Sequence, residues 1–152
     1  MGRNRICVEG GTAMSTTTRP ELSTKNPYWI EKHRYYELKH FCLQYPIWQK
    51  KLKMMDGYSH DRTISKAGNG KSSAANPTYE TAEARDRYLN WCSLVERTAK
   101  ETAVDLAPYI LKAVTEGLSY EILRLRTAVP CCRDIYYDLY RRFFWLLSRD
   151  RV

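Results

Sequence analysis

A chain of 152 residues with 43% apolar residues is long enough for one domain with a modest core, and too apolar for wholesale disorder. Its net charge of +8 and isoelectric point near 9.3 favour an anionic partner, either nucleic acid or an acidic protein surface. The five cysteines are odd in number and irregular in spacing, which argues against a disulfide framework, and no apolar signal segment follows the basic start. The longest wholly apolar run, Phe143 to Leu147, is far short of a membrane span, so a reduced, cytoplasmic protein is expected.

Residues 1–26 are rich in Gly, Thr, Ser and Arg and lack periodicity, which predicts a disordered arm. Met14 lies within it and is a candidate for the true start. In "NPYWIEKHRYYELKHFCLQY", Asn26 suits a helix cap and Pro27 a first helical position. Tyr28, Tyr35, Leu38, Phe41, Cys42 and Tyr45 then recur at near-helical spacing. Pro46 interrupts, and "PIWQKKLKMM" restarts a short helix burying Ile47, Trp48, Leu52 and Met55, with Asp56-Gly57 as its stop. Residues 57–77 read as a mobile loop.

The clearest long helix is "TYETAEARDRYLNWCSLVERTAKETA", with Ala84, Tyr88, Trp91, Val95 and Ala99 on one stripe. "DLAPYILKAVTE" is a shorter one, with Asp105 as candidate cap and Pro108 in its first turn, and Gly117 stops it. Ser119 can cap "SYEILRLR". A turn through Thr127, Ala128, Val129 and Pro130 leads to a last helix from about Cys132 to Ser148. No segment alternates with period two, so the chain reads as all-α, a single helical domain over 27–152.

Charge is uneven along the chain. Lys and Arg outnumber Asp and Glu by six to three over 28–58 and by seven to four over 119–152, whereas 77–118 is slightly acidic. The basic ends are where a phosphate-contacting face is expected.

No catalytic constellation is visible, and no cofactor or metal is expected. Cys131 and Cys132 are adjacent rather than spaced as zinc ligands, and His33, His40 and His60 lack ligand spacing. Cys132 at a helix start can carry a reactive thiol, against the plainer reading of both cysteines as structural. "GNGKSS" at 68–73 resembles a phosphate loop, but Ser65 stands where the leading glycine belongs and no strand precedes it, so a linker fits better. Asp134 and Asp138 at i,i+4 lie close to Arg133, Arg141 and Arg142, which favours a solvated salt-bridged face over acid–base chemistry. The rings and bases of "HRYYELKHF" suit a single-strand stacking platform, but their helical spacing suits a core better.

Residues 113–148 fit a helix-turn-helix: a short helix, a turn, then a longer helix able to enter the major groove. Tyr120 or Ile122, Leu123 and Leu125 are candidates for the buried side of the first helix, Val129 plugs the turn, and Pro130 fixes entry into the second. In the second, Ile135, Leu139, Phe143 and Leu146 make an apolar stripe, and Arg133, Tyr137, Tyr140, Arg141 and Phe144 fall largely on the other side. Cys132, Arg133, Tyr136, Tyr137, Arg141 and Arg142 are the expected DNA-binding set. Arg133 suits guanine O6 and N7, Tyr137 a phosphate or thymine methyl, and Arg141 and Arg142 backbone phosphate. An ordinary amphipathic terminal helix fits the same pattern equally well.

"AVTEGLSYEILRLRTAVPCCRDIYYDLYRRFFWLLSR" resembles the C-terminal helix-turn-helix of phage-encoded regulators of the RinA and ArpU type, which in turn look similar to the promoter-reading element of sigma factors. The telling residues are Gly117-Leu118-Ser119-Tyr120, Val129-Pro130-Cys131, Arg133-Asp134 with Tyr136-Tyr137, and Arg141-Arg142-Phe143-Phe144. Val129 to Ile135 is one residue longer than the sigma-type spacing. The resemblance implies a non-enzymatic, sequence-specific regulator of phage or prophage transcription. It implies double-stranded DNA as partner, with RNA polymerase and a second copy of the chain as further candidates. The alternative is a phage-encoded interaction module docking on a host protein without DNA readout.

Overall fold

Asn26 closes a turn rather than capping a helix. Its Oδ1 accepts the Tyr28 N–H at 3.0 Å and its carbonyl accepts the Trp29 N–H at 3.1 Å. Helix formation is therefore delayed past Glu31, whose backbone is extended and whose side chain makes no cap bond. The computed structural model describes residues 26–60 and 77–151; the expected arm and most of the expected loop lie outside the described residues. Among these residues the chain is all-α, without a strand: α1 (Lys32–Leu43), α2 (Tyr45–His60), α3 (Pro77–Thr102), α4 (Ala107–Glu116), α5 (Tyr120–Arg126) and α6 (Arg133–Asp150).

Gln44 alone separates α1 from α2, and Pro46, lacking an N–H, sits in the first turn of α2. That helix buries Tyr45 and Trp48, with Leu52 packed against the same core. Ile47, expected inside, is exposed instead, because Tyr45 and Trp48 together bury more ring surface than the alternative register would. Nor does Asp56-Gly57 stop the helix, which runs on to His60, so 57–60 are not loop. A helical glycine costs only about 1 kcal/mol against alanine, and packing of α2 on α3 offsets a penalty of that size.

α3 is the spine, packed against α2, α4 and α6, while α1 lies on α4 and α6. At 26 residues it is about 39 Å long. The core between these helices holds Tyr35, Leu38, Phe41, Trp48, Val95 and Phe143, among others. Phe41, Trp48 and Trp91 stack in a tilted cluster, with Trp48 centred 4.7 Å from Phe41 and 5.0 Å from Trp91. The buried hydroxyls of Thr98 and Thr102 bond back to the carbonyls of Leu94 and Thr98, so no polar group is stranded there.

Asp105 is exposed and does not cap α4; the cap position is Leu106, with Pro108 in the first turn. At the other end Gly117 takes a left-handed φ of 67°, and Leu118 N–H bonds to Ala113 O at 3.0 Å. This is a glycine stop of the expected kind. A side chain at 117 would also crowd Leu43 Cδ2, 3.2 Å from an added Cβ. Ser119 then caps α5 by accepting the Ile122 N–H on its hydroxyl. Arg34 of α1 closes the far end of α6, donating to the Ser148 carbonyl at 3.3 Å and to the Arg151 carbonyl.

A candidate nucleic-acid interface on α5 and α6

A second, smaller core lies under α5 and the first turns of α6. It contains Ala113, Tyr120, Leu123 and Tyr136, with Val129, Cys131 and Tyr137 packed against it. Val129 occupies the plug position expected from the sequence. Residues 127–132 connect the two helices. Thr127 ends α5 in extended conformation with its hydroxyl on Leu123 O at 2.7 Å. At the other end Tyr120 donates its hydroxyl to Cys131 O at 2.8 Å, and its ring packs on Tyr136, 5.3 Å between centroids. The connection is therefore tied at both ends to α5.

Cys132 is the cap residue of α6, with a side chain that makes no cap bond; its carbonyl accepts the Tyr136 N–H at 3.0 Å. Arg133 follows on the first turn, its side chain 47% exposed, with Nη1 3.5 Å from Glu121 Oε1 and its guanidinium carbon 5.6 Å from the Tyr137 ring centre. Arg142 and Tyr137 are half-buried and Asp134 and Asp138 are exposed.

Tyr136 does not belong to this outer face. It is 2% exposed and faces Tyr120 in the small core, so it cannot reach a base. Tyr140 and Phe144 are inside as well. The Tyr140 hydroxyl meets that of Tyr35 at 3.3 Å, and burial pushes the Tyr140 phenol well above its ordinary pKa. The buried side of α6 holds Tyr136, Phe143, Phe144, Leu146 and Leu147, with Leu139 and Tyr140 packed half-buried beside them; of the expected stripe, Phe143 and Leu146 are inside and Ile135 is not. The buried side is therefore broader than the expected stripe and extends to its Tyr136, Tyr140 and Phe144 flank. The cause is area: extending the buried side in this direction takes Tyr136, Tyr140 and Phe144 out of water and leaves out Ile135 alone of the expected stripe. Ile135 is accordingly 52% exposed.

The same broadening takes in Arg141. Its side chain is 18% exposed, and its Nη1 bonds to Asp138 at 2.9 Å. Its Nε is buried without a hydrogen-bond partner among the described residues. Arg141 is thus mostly committed to the protein, whereas Arg133 and Arg142 remain toward solvent. Asp138 forms the expected salt bridge, and no group of three or more His, Cys, Asp or Glu side chains suits a metal ion among the described residues. Cys42, Cys92, Cys131 and Cys132 remain thiols. Burial pushes the Cys131 thiol up, with the neighbouring Cys132 adding to the shift, which leaves it a poor nucleophile.

Apolar residues expected inside at two places on this face stand outside. One is Ile135; the other is the apolar outer side of α5, where Leu125 is 87% exposed and Ile122 is also exposed. Comparison with family models, curated proteins and solved structures returned no match, so the residues themselves carry the reading. No helix among the described residues is long and apolar enough to cross a membrane.

Proposed function

We propose that this chain is a sequence-specific double-stranded DNA-binding regulator of phage or prophage transcription, with α6 as its recognition helix and α5 as the supporting helix. The observation that carries this reading is the construction of the α5–α6 unit. Tyr120, Leu123 and Tyr136 form a locked base, while Arg133 and Ile135 stand outward on the first turn of an 18-residue helix. Such a helix is about 27 Å long, enough to lie along a major groove with its N-terminal residues at the base edges. Arg133 is the candidate for guanine, and Arg142, with Arg124 and Arg126 on α5, for phosphate. The action is promoter occupancy in the bacterial cytoplasm rather than catalysis, with RNA polymerase the natural further partner. Binding two half-sites would take a second copy of the chain.

The test is selection from a random duplex library followed by titration in salt. The expected result is one enriched motif and an affinity that falls steeply and linearly on a log–log salt plot. Binding without preference over random duplex would defeat the proposal, since a chain of charge +8 attracts any DNA to some degree. A second reading, docking on a host protein, draws on the exposure of Ile122 and Leu125. It predicts that Leu125→Asp abolishes the partner interaction while duplex binding never exceeds the nonspecific level.

A further inference from the structure

Ile135 is a large, branched apolar side chain standing half in water on the first turn of α6. The fold makes no use of it: it belongs to neither core cluster, and a polar residue would serve the helix surface better. Its χ1 is restricted by β-branching within a helix, so the methyl groups are held in one place before any ligand arrives. Asp134 and Asp138 are exposed beside it. Carboxylates repel phosphates, so this turn suits the base edges inside the groove, where cytosine N4 donates to an acid and thymine offers a methyl. The apolar surface of this turn is one side chain bracketed by charges, the size of a single methyl contact rather than of a protein anchor patch. The surplus of eight positive charges on the chain supplies attraction to the DNA as a whole.

We propose that Ile135 is a specificity-determining residue that reads the C5-methyl group of a thymine in the major groove. The inference rests on the DNA-binding reading above and adds the base and the atom recognised. It moves the apolar contact from Tyr137, which is partly occupied with Arg133 and Tyr136, to the neighbour two residues earlier.

The experiment takes the duplex site selected by the wild-type chain and replaces each thymine in turn by deoxyuridine, which deletes one methyl and leaves base pairing intact. Wild-type protein should lose about threefold to tenfold in affinity at one position. Ile135→Ala should bind the unmodified site with the same loss and should not distinguish thymine from deoxyuridine there. Its circular dichroism and melting temperature should match those of wild type. Wild-type sensitivity retained in full by Ile135→Ala, or no sensitive thymine at all, would overturn the assignment while leaving specific DNA binding in place. Failure of the wild type to select any site would remove both readings together. If Ile135→Ala instead dissociates a dimer on sedimentation and weakens thymine and deoxyuridine sites equally, the side chain serves a second copy of the chain and the assignment falls.

Discussion

The phenolic hydroxyl of Tyr120 donates to the carbonyl of Cys131 at 2.8 Å, so the residue that opens α5 also holds the end of the connection that follows it. Tyr120→Phe keeps the ring on Tyr136 and deletes this bond. The expected cost is about 1 kcal/mol, read as a lower urea midpoint at unchanged slope. An unchanged midpoint would show that the connection is held by packing alone.

The orientation of α6 is open to a direct comparison of neighbours. Tyr136→Ala should cost about 3–5 kcal/mol, because it empties the small core. Ile135→Ala should stay within about 0.5 kcal/mol, as surface substitutions usually do. Tyr136→Phe should equal wild type or exceed it by about 1 kcal/mol, since the Tyr136 hydroxyl is buried with no hydrogen-bond partner among the described residues. The reverse order for the two alanine variants, by chemical denaturation, would mean that the helix sits in the orientation read from the sequence.

That orientation explains what was and was not legible. The helices were, because 3.6-residue spacing, Gly117 and Ser119 are local signals: α4 ends at Gly117, α5 starts after Ser119, and α6 starts after Cys132. The breadth of the buried side of α6 was not. Two stripes one residue apart both fit its spacing, and the ring area to be buried brings Tyr136, Tyr140 and Phe144 in beside Phe143 and Leu146. Asn26 failed as a cap signal because an Asn-Pro pair serves a turn as readily as a helix start. Gly57 failed as a stop because tertiary packing on α3 outweighs helix propensity. Of the expected DNA-binding set, Cys132, Arg133, Tyr137 and Arg142 are brought to the outer face or its edge. Tyr136 is withdrawn from it, and Arg141 is largely withdrawn with it.

Alkali should unfold the protein early. Burial pushes the Cys42 thiol up to about 12 and the Cys92 thiol up to about 11, from an ordinary value near 9. It also raises the phenols of Tyr45, Tyr136 and Tyr140. An acid whose pKa is higher when folded keeps its full contribution to stability below the unfolded value, and that contribution is lost as pH rises through the folded one. Stability should therefore hold to about pH 9 and fall between about pH 9 and 12, with tyrosine ionisation following the loss of helix. Urea midpoints that stay level to pH 11 would contradict this. At pH 8 the same burial should protect Cys42 and Cys92 from a thiol reagent until denaturant is added.

Arg34 fastens α1 to the end of α6 through the carbonyls of Ser148 and Arg151. Beside it Arg151 lies over the Phe41 ring at 4.0 Å and bonds Glu37 at 2.8 Å. Arg34→Ala leaves the last carbonyls of α6 without their donor and should cost about 1–2 kcal/mol. Hydrogen exchange should localise the effect, with faster exchange over 147–151 and none added over 133–140. Uniform acceleration along α6 would instead mean that its two ends open together.

Arg133 and Glu121 pair at 3.5 Å across the gap between α6 and α5, both about half exposed. If Arg133 reads a guanine, this carboxylate competes with the base for the guanidinium and repels nearby phosphates. Glu121→Gln keeps the shape and removes the charge. Exposed ion pairs contribute little to folding, so stability should change by less than about 0.5 kcal/mol. Duplex affinity should rise several-fold, and more at low salt than at high. Arg133→Ala should do something different in kind, relaxing preference at one base pair at a cost of about 1–3 kcal/mol for that position. Measuring both variants on the selected site and on the site altered at that pair separates general electrostatics from readout. Glu121→Gln should strengthen both duplexes, the guanine-bearing one at least as much, while Arg133→Ala should level them. If Arg133→Ala weakened both duplexes equally, the guanidinium would be a phosphate contact, and base recognition would have to come from Ile135 and its acidic neighbours.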